Sequence, residues 1–429
     1  MEGRPLPSAA RPSGLRDVAL TAGLPRYAGF AAILAAAGLP IYIHAPRFYV
    51  ESYGVTLAQL SLALFALRLI DVVQDPLLGR LAEATRAHRA LWVAGAGTSM
   101  AVAMLLLFAV PPMLAPVWWF ALSLALLFTS YSFLTICFYA QGVARAEAMP
   151  GGHVRLAAWR ETGALGGVCI AALLPTVLMP TGAPFALYAA AFAAGVGAAL
   201  WAMAPEWRAS EARPATGLGA ILRDGPARWL LAIALLNSTP VAVTSTLFVF
   251  FVADRLAAPG AEGPLLLVFF LSAACAAPLW GRLAARIGGR RALMAAMGLA
   301  IASFAFALTL GAGDVLPFAA ICVASGAAMG ADLTLLPALF ARRLATIAPS
   351  GADGFGLWSF VTKLTLAFAA IALFPALEAA GLQTGGDSPE AAMTLLTWLY
   401  AGLPLGLKLG ALALIAIAPI SDVQETRHA

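Results

Sequence analysis

Three charged side chains lie close together in an otherwise apolar segment. Arg68, Asp71 and Asp75 follow one another at spacings of three and four residues, so a helix places them on one face, with Gln74 beside them. Each charge inside a bilayer costs about 2.5 to 3.5 kcal/mol unless it faces a partner or a cavity. Two carboxylates one turn apart repel each other, which raises the affinity of the pair for a proton or a small hard cation such as Na⁺. The pattern therefore predicts a proton or cation site, and a static salt bridge between Arg68 and Asp71 is the alternative.

The composition shows that a membrane must surround these charges. The chain has 429 residues, of which 62% are hydrophobic and 11% charged, and its mean hydropathy is +0.88. The apolar residues form long runs instead of the alternation of a β-barrel, which excludes soluble enzymes and nucleic-acid-binding proteins and predicts an all-α polytopic membrane protein. About 20 apolar residues cross a bilayer, which gives about twelve spans, at roughly 27–50, 56–80, 90–111, 116–141, 159–180, 184–204, 228–252, 264–284, 291–311, 315–340, 354–379 and 394–418.

The most polar stretch between these spans divides the chain into two halves of six spans, and the halves repeat. The blocks Pro76–Ala82 and His88–Leu91 match Pro278–Ala284 and Arg290–Leu293 in one register. A parallel repeat of this kind places a substrate site between the halves, near the bilayer midplane. The predicted units are an N-terminal half over 1–205, a cytoplasmic linker over 206–227 and a C-terminal half over 228–429.

Basic residues predict the orientation of the chain. The outer loops hold only Arg47 and Arg255, whereas the inner segments hold most of the other arginines. By the positive-inside rule, both termini are expected in the cytoplasm. The net charge of +5 thus reflects topology and does not indicate a nucleic-acid partner. The four cysteines all lie inside apolar stretches, without disulfide or metal-site spacing.

Two predicted cytoplasmic loops share a glycine- and arginine-containing pattern. The segment Gly79–Arg86 follows the second span, and Gly281–Arg291 follows the eighth. Both resemble the signature loop of the major facilitator superfamily, although Ala285 replaces the usual acidic residue in the second copy. The resemblance implies the major facilitator fold and a gate in which glycine permits close helix approach and arginines pair with carboxylates and helix carboxyl ends. A loop that only sets the topology is the alternative. The predicted gate residues are Gly79, Arg80, Glu83, Gly281 and Arg282.

A narrower resemblance begins in the second span. The run from Arg68 to Gly79 is similar to the second-helix signature of the glycoside-pentoside-hexuronide:cation symporter family, which is the melibiose permease-like family. The segments Tyr131–Tyr139, Arg155–Arg160 and Phe355–Lys363 lie where that family has its fourth-, fifth- and eleventh-helix motifs. The resemblance spans nearly the whole chain and is strongest in the second and eleventh helices.

This family resemblance implies roles for individual residues. It implies a cation site of Asp71, Asp75, Gln74 and Ser132. It also implies that Lys363, the lysine of the eleventh helix, faces the cavity from the second half and senses the charge of the first. The remaining residues with an implied or expected role in substrate binding or coupling are Arg68, Arg160, Thr135, Tyr139 and Trp358.

The substrate-binding part departs from the family pattern. Sugar-transporting relatives carry acids on the first and fourth helices and a tryptophan on the fourth, where this chain has Ala35, Thr135 and Tyr139. Trp358 and Ser359 likewise stand where relatives have a glutamine and a threonine, just ahead of the lysine. Because carboxylates are the natural acceptors for sugar hydroxyls, these changes argue against a galactoside-like ligand.

The leading hypothesis is a cation-coupled secondary transporter that moves a small polar solute across a bacterial inner membrane, with Na⁺ or H⁺ as coupling ion and no other cofactor. The alternatives are a proton-driven exporter of amphipathic or lipid-like compounds and a non-transporting membrane sensor. An enzyme is not expected, because no nucleophile, base and orienting residue converge at one membrane depth. We expect function as a monomer in the lipid bilayer. The substrate, the coupling ion and the direction stay open. The roles of Asp332 and Lys408 also stay open: Asp332 either faces the cavity or pairs locally, and a structural role is expected for Lys408, whose long stem can snorkel.

Overall fold

A computed structural model describes residues 23–38, 45–149, 152–208, 217–381 and 389–419 of the chain. In the first half, the helices are α1 (Leu24–Ala36), α2 (Ala45–Tyr53), α3 (Leu57–Ala84), α4 (Arg89–Phe108), α5 (Pro116–Glu147), α6 (Gly152–Leu178) and α7 (Pro184–Arg208). In the second half, they are α8 (Gly217–Arg223), α9 (Gly225–Phe250), α10 (Glu262–Ile287), α11 (Gly289–Ala307), α12 (Val315–Ile347), α13 (Ala352–Ala379), α14 (Glu390–Thr397) and α15 (Leu403–Ile417).

The predicted all-helical membrane fold is confirmed. In the described part of the chain, eight helical segments are long and apolar enough to cross a membrane. They contain α4, α5, α7, α9, α10, α11, α12 and the consecutive pair α14 and α15. The predicted cytoplasmic termini and residues 209–216 of the predicted linker lie outside the described residues.

Two predicted spans differ from the helices observed. The span at 27–50 contains two helices, α1 and α2, and residues 39–44 between them lie outside the described part of the chain. The span at 394–418 is divided by a π-helical turn at Trp398–Gly402. Pro404 follows this turn and has no amide hydrogen to donate to the carbonyl of Tyr400, which explains why the regular helix is interrupted there.

Small residues allow helices within each half to pack closely. A Cβ atom on Gly163 of α6 would lie 2.1 Å from the carbonyl oxygen of Ala28, and one on Gly167 would lie 2.1 Å from that of Ala32. In the second half, a Cβ on Gly326 of α12 would lie 2.3 Å from a carbonyl oxygen of α10. Helices in a membrane gain their packing energy from such close approach, since lipid supplies no hydrophobic drive between them. Each half is therefore held by a tight helix pair of its own.

The two halves meet along α3 with α13 and along α6 with α10. At the cytoplasmic end of α3, a Cβ on Gly79 would lie 3.1 Å from the carbonyl oxygen of Ala352 and 3.2 Å from Cα of Gly356. At the corresponding end of α10, a Cβ on Gly281 would lie 3.1 Å from Cβ of Ala158 on α6. The halves thus touch through equivalent glycines, and the side of the protein that the positive-inside rule predicts to be cytoplasmic, which we call the cytoplasmic side, is closed.

Candidate cation and substrate site

The second-span carboxylates lie on the part of α3 that faces α13. The helix begins with a capping box, in which the amide of Gln59 donates to the hydroxyl of Thr56 and the side chain of Gln59 accepts from the amide of Thr56. Asp71 is 4% exposed and Asp75 is 0% exposed. Their one-turn spacing places both carboxylates at the interface between the halves.

The ammonium group of Lys363 lies between these carboxylates. Its Nζ donates to Oδ1 of Asp71 at 2.8 Å, to Oδ1 of Asp75 at 3.1 Å and to Oγ of Ser132 at 2.6 Å. Lys363 belongs to α13 in the second half, whereas its three partners belong to α3 and α5 in the first. A side-chain cation of the protein thus occupies the position between the two carboxylates that the sequence assigns to a coupling ion.

Other polar side chains complete this cluster, which we call the interface cluster. Ser132 donates to Oδ1 of Asp71 at 3.0 Å, and Gln74 donates to the same oxygen at 3.2 Å. The structure therefore brings together the four residues predicted for the cation site and Lys363. It adds two hydroxyls that sequence analysis did not assign to the site, because Thr129 donates to Gln74 at 2.9 Å and Ser359 donates to Asp75 at 2.5 Å.

Charge counting shows what the interface cluster lacks. Asp71, Asp75 and Lys363 carry one more negative than positive charge when all three are ionised. A buried charge without compensation is costly, so one further positive charge, from a proton, a monovalent cation or the nearby guanidinium of Arg68, would neutralise the cluster. Arg68 lies one turn before Asp71 on the same face of α3 and is half-buried.

A second polar group surrounds Arg160, near the cytoplasmic end of the interface. Nε of Arg160 donates to Oε1 of Glu161 at 2.8 Å, and the hydroxyl of Tyr139 donates to the same oxygen at 3.1 Å. The guanidinium carbon lies 3.6 Å from the ring centroid of Tyr139. Sequence analysis missed Glu161, although a carboxylate directly after an arginine in an apolar span was the signal that could have found it. Arg160 and Glu161 are both buried and neutralise each other.

Thr135 lies between these two polar groups. It shares one face of α5 with Ser132 and Tyr139, at helical spacings of three and four residues. Its hydroxyl is buried and has no hydrogen-bond partner among the described residues. The polar face of α5 thus runs without a break from the interface cluster to Arg160.

Aromatic rings of the second half face Tyr139. The ring of Phe355 lies 5.0 Å from that of Tyr139 in an edge-to-face arrangement. Trp358, one turn along α13 from Phe355, stacks on Phe340 of α12 with ring centroids 5.0 Å apart. The contact of Phe355 with Tyr139 crosses the interface between the halves, whereas that of Trp358 with Phe340 lies within the second half.

The predicted gate residues differ in their contacts and in their exposure to solvent. Gly79 and Gly281 make the close contacts between the halves, whereas Arg80 and Arg282 are exposed. Glu83 is buried and accepts from Nη1 of Arg86 at 2.5 Å. As the gate pattern implied, an arginine also reaches a helix carboxyl end, since Arg290 donates to the carbonyl of Ala416 in the last turn of α15 at 2.6 Å.

Lys408 and Asp332 form a separate buried cluster inside the second half. Nζ of Lys408 donates to Oδ1 of Asn237 at 2.6 Å and pairs with Oδ2 of Asp332. Lys408 does not snorkel, because its side chain is only 3% exposed and finds both partners within the bundle. Of the two expectations for Asp332, the local pair is the one observed. The three residues come from α9, α12 and α15, and we call them the second-half cluster.

Comparison with known proteins places the chain in a family. The family described as MFS/sugar transport protein matches residues 26–422. Among solved structures, a bacterial homologue of the iron transporter ferroportin in the outward-facing state has a TM-score of 0.70 at 16% identity, over 92% of this chain and 98% of that one. The same homologue with soaked iron has a TM-score of 0.69 at 16% identity, with the same coverage. At this identity the likeness shows the fold alone. No curated protein matches the chain.

These findings confirm the major facilitator fold predicted from the two gate loops. They also confirm that the protein is a multi-pass membrane transporter and not an enzyme. The chain belongs to the MFS/sugar transport protein family of the major facilitator superfamily.

Proposed function

We propose that the protein is a cation-coupled secondary transporter of the glycoside-pentoside-hexuronide:cation symporter type, which moves a small solute across a bacterial inner membrane by alternating access. The observation that carries this proposal is the position of Lys363 between Asp71 and Asp75. The lysine belongs to one half of the protein and the carboxylates to the other. An ion that competes with the lysine for these carboxylates therefore acts directly on the contact between the halves.

Competition of this kind supplies a mechanism for coupling. A proton or Na⁺ on Asp71 or Asp75 reduces the attraction that the carboxylates exert on the ammonium of Lys363. The contact between α3 and α13 then weakens, and the closed cytoplasmic side loses an ion pair that stabilises it. The coupling ion thus has different affinities for the two conformations, which is the condition for an ion to shift a conformational equilibrium.

The surroundings of the carboxylates suit either coupling ion. With Lys363 displaced, the cluster offers carboxylate oxygens of Asp71 and Asp75 and the hydroxyl of Ser132. A flip of the Gln74 amide, whose nitrogen faces Asp71 in this structure, would add its oxygen. Oxygen ligands of this kind are those that hard cations prefer. A proton requires only one of the carboxylates. Na⁺ and H⁺ therefore remain the two versions of the proposal, to be separated by experiment.

One observation favours a second candidate, the proton-driven exporter of amphipathic compounds. Aromatic rings contribute to the closure of the interface, with Phe355 of α13 against Tyr139 of α5, and Trp358 stacks on Phe340 beside this contact within the second half. Such a surface provides contact for an apolar ligand body. Export predicts outward movement of amphipathic probes driven by a proton gradient, without Na⁺ dependence.

The test is the thermal stability of the purified protein in Na⁺, Li⁺ and K⁺ at several pH values. A ligand that binds only the folded state stabilises it by about 2.7 kcal/mol at 100 times its Kd. Asp75→Asn removes one carboxylate of the interface cluster. Asp332→Asn is the matched control, since it also removes a buried aspartate that pairs with a lysine, but inside one half.

Stabilisation by Na⁺ that is lost in Asp75→Asn and kept in Asp332→Asn supports Na⁺ coupling. A pH dependence that is lost only in Asp75→Asn, without an effect of Na⁺, supports proton coupling. A protein whose stability changes in neither way, or changes equally in both variants, contradicts the proposal.

A further inference from the structure

Two buried donor groups near Tyr139 are without a hydrogen-bond partner in the described part of the chain. They are Nη2 of Arg160 and the hydroxyl of Thr135. Arg160 is 6% exposed, and the carboxylate of Glu161 accepts from its Nε group. A buried donor without an acceptor costs about 1 to 3 kcal/mol, and more when it is charged. The closed conformation therefore leaves these two hydrogen-bond donors available to a ligand.

The cover over these donors belongs to the other half of the protein. Tyr139 lies on α5 beside Thr135, and Phe355 of α13 packs against its ring. When the cytoplasmic side opens, α13 moves with the second half and Phe355 leaves Tyr139. The face of the first half that holds Thr135 and Arg160 then becomes accessible from the cytoplasm.

The chemistry of the donors selects the ligand. A guanidinium N–H without a partner pairs best with an anionic oxygen. The hydroxyl of Thr135, on the same face of α5 as the Tyr139 ring that Arg160 contacts, is the donor we assign to a second hydrogen bond with the same ligand. A ligand amine would need an acceptor instead, and the carboxylate of Glu161 already accepts hydrogen bonds from both Arg160 and Tyr139. The rings of Phe355 and Trp358 on the facing half provide contact for an apolar body.

We propose that Arg160 and Thr135 form an anion subsite, which binds the acidic group of an organic anion with an apolar or aromatic body when the cytoplasmic side is open. This inference deepens the proposed function and rests on it, since the subsite forms only through alternating access. It narrows the substrate from a small polar solute to an amphipathic organic acid.

The probes that test this are phenylacetate, 2-phenylethanol and 2-phenylethylamine, which share an apolar body and differ in charge, with octanoate as an aliphatic acid. Their affinities for the full-length protein in nanodiscs are measured by thermal shift, with Na⁺ present. We expect phenylacetate or octanoate to bind at least about tenfold more tightly than the alcohol and the amine. Arg160→Gln is expected to weaken binding of the acid by about 10- to 100-fold, and Thr135→Val by about 3- to 10-fold.

Two further variants keep the result interpretable. Arg155→Gln is the matched control, because Arg155 is an exposed arginine on the same helix, and it should leave the affinity of the acid unchanged. If Arg160→Gln does not fold, Arg160→Lys retains the positive charge beside Glu161 but lacks the second nitrogen, and the same loss of affinity is expected.

Equal or tighter binding of the amine overturns the proposal. So does an affinity for the acid that survives Arg160→Gln and Arg160→Lys, or an absence of binding by both acids. The cation response of the same samples separates this result from failure of the proposed function. A retained effect of Na⁺ or pH without preference for acids refutes the anion subsite alone. Binding of acids without any cation response refutes cation coupling and leaves the subsite.

Discussion

Two lysines lie inside the membrane helices of the protein, and each pairs with aspartate, but their positions in the fold differ. Lys363 joins α13 of the second half to Asp71 and Asp75 of the first. Lys408 pairs with Asp332 and Asn237, and all three side chains belong to the second half. The first cluster therefore crosses an interface that must rearrange during alternating access, whereas the second stays inside one packed body.

This difference shows that burial of a charge pair does not by itself indicate a coupling site. Both clusters satisfy charges that would each be costly in a membrane. Only an ion pair between moving parts, however, has a different energy in the two conformations. The second-half cluster is accordingly expected to contribute to stability and not to coupling, and four predictions test this contrast.

The largest effect is expected from Lys408→Met. The substitution leaves Asp332 buried without its counter-ion, and removing one partner of a buried pair costs about 3 to 5 kcal/mol. The free energy of unfolding, measured by denaturant titration in detergent, should fall by this amount. The shift in stability caused by the coupling ion should not change. If the cation shifts the stability of the variant less than that of the unmodified protein while the stability without cation is normal, Lys408 takes part in coupling. The proposed difference between the two clusters would then be wrong.

The double variant Lys408→Met with Asp332→Asn is the control for this prediction. It removes both charges, so most of the lost stability should return. If stability does not return, the loss in the single variant comes from packing around the side chain of Lys408 and not from its charge.

Lys363→Gln should have a smaller effect on stability and an opposite effect on ion binding. The side chain of Lys363 is 16% exposed, against 3% for that of Lys408, and glutamine keeps two N–H donors for the carboxylates. Without added cations, we therefore expect only the loss of the charge-assisted part of these hydrogen bonds, about 1.5 to 3 kcal/mol. Because the lysine no longer competes for Asp71 and Asp75, the coupling ion should bind more tightly, by about tenfold for each 1.4 kcal/mol of competition removed. Ion titrations of thermal stability measure this affinity. Weaker ion binding would mean that Lys363 assists the ion and does not compete with it.

The sequence predicts the interface cluster well for a physical reason. Charged residues in apolar spans are rare because they are costly, so Asp71, Asp75 and Lys363 stand out, and the family resemblance pairs them across the two halves. The hydroxyls of Thr129 and Ser359 could not be predicted in the same way. Hydroxyl side chains are common in membrane helices, where they bond to their own backbone, and spacing along one helix does not reveal which neighbour that face meets.

The pairing within the second-half cluster is a second feature that could not be predicted from the sequence. Asp332 and Lys408 are both visible as charges, but they belong to different helices whose rotation and depth depend on the whole bundle. Their pairing is a property of tertiary packing. The same applies to the division of the spans at 27–50 and 394–418, since a count of apolar residues measures the thickness of a bilayer and not the continuity of a helix.

Gly356→Ala tests the contact between the halves without changing a charge. A new Cβ would lie 3.0 Å from the carbonyl oxygen of Asp75 and 3.0 Å from Cα of Gly79, so α3 and α13 must separate slightly. Overpacking of this kind costs about 1 to 3 kcal/mol and should favour the conformation with an open cytoplasmic side. Hydrogen exchange in peptides around Tyr139 and Phe355 should become faster.

Gly298→Ala is the control for this substitution. Gly298 lies in α11, and its added Cβ would meet nothing within 4 Å. Alanine there should raise stability by about 0.5 to 1 kcal/mol and leave exchange at the interface unchanged. Unchanged exchange in Gly356→Ala as well would show that the glycine contact does not hold the cytoplasmic side closed.

The smallest effect is expected from an ion pair that also stays within the second half but lies at its surface. Nε of Arg343 donates to Oδ1 of Asp224 at 2.9 Å, and the same carboxylate caps the start of α9. The hydrogen bond from Arg343 lowers the pKa of Asp224 below its ordinary value. The pair therefore contributes stability above about pH 4, the ordinary carboxyl pKa, and this contribution is lost as the pH falls through the lowered pKa.

The side chain of Arg343 is 35% exposed, so solvent screening limits the contribution to about 0.2 to 1 kcal/mol. Arg343→Gln should lower the free energy of unfolding by this amount at neutral pH, whereas the exposed Arg286→Gln should not. The difference between Arg343→Gln and the unmodified protein should shrink as the pH falls below the pKa of Asp224. A loss as large as that in Lys408→Met would mean that the position of a pair within one half, and not its burial, determines its energy. A small loss of stability that is confined to higher pH would show that burial makes the second-half cluster strong. The property that allows Lys363 to act in coupling would then be that its ion pairs cross the interface between the halves.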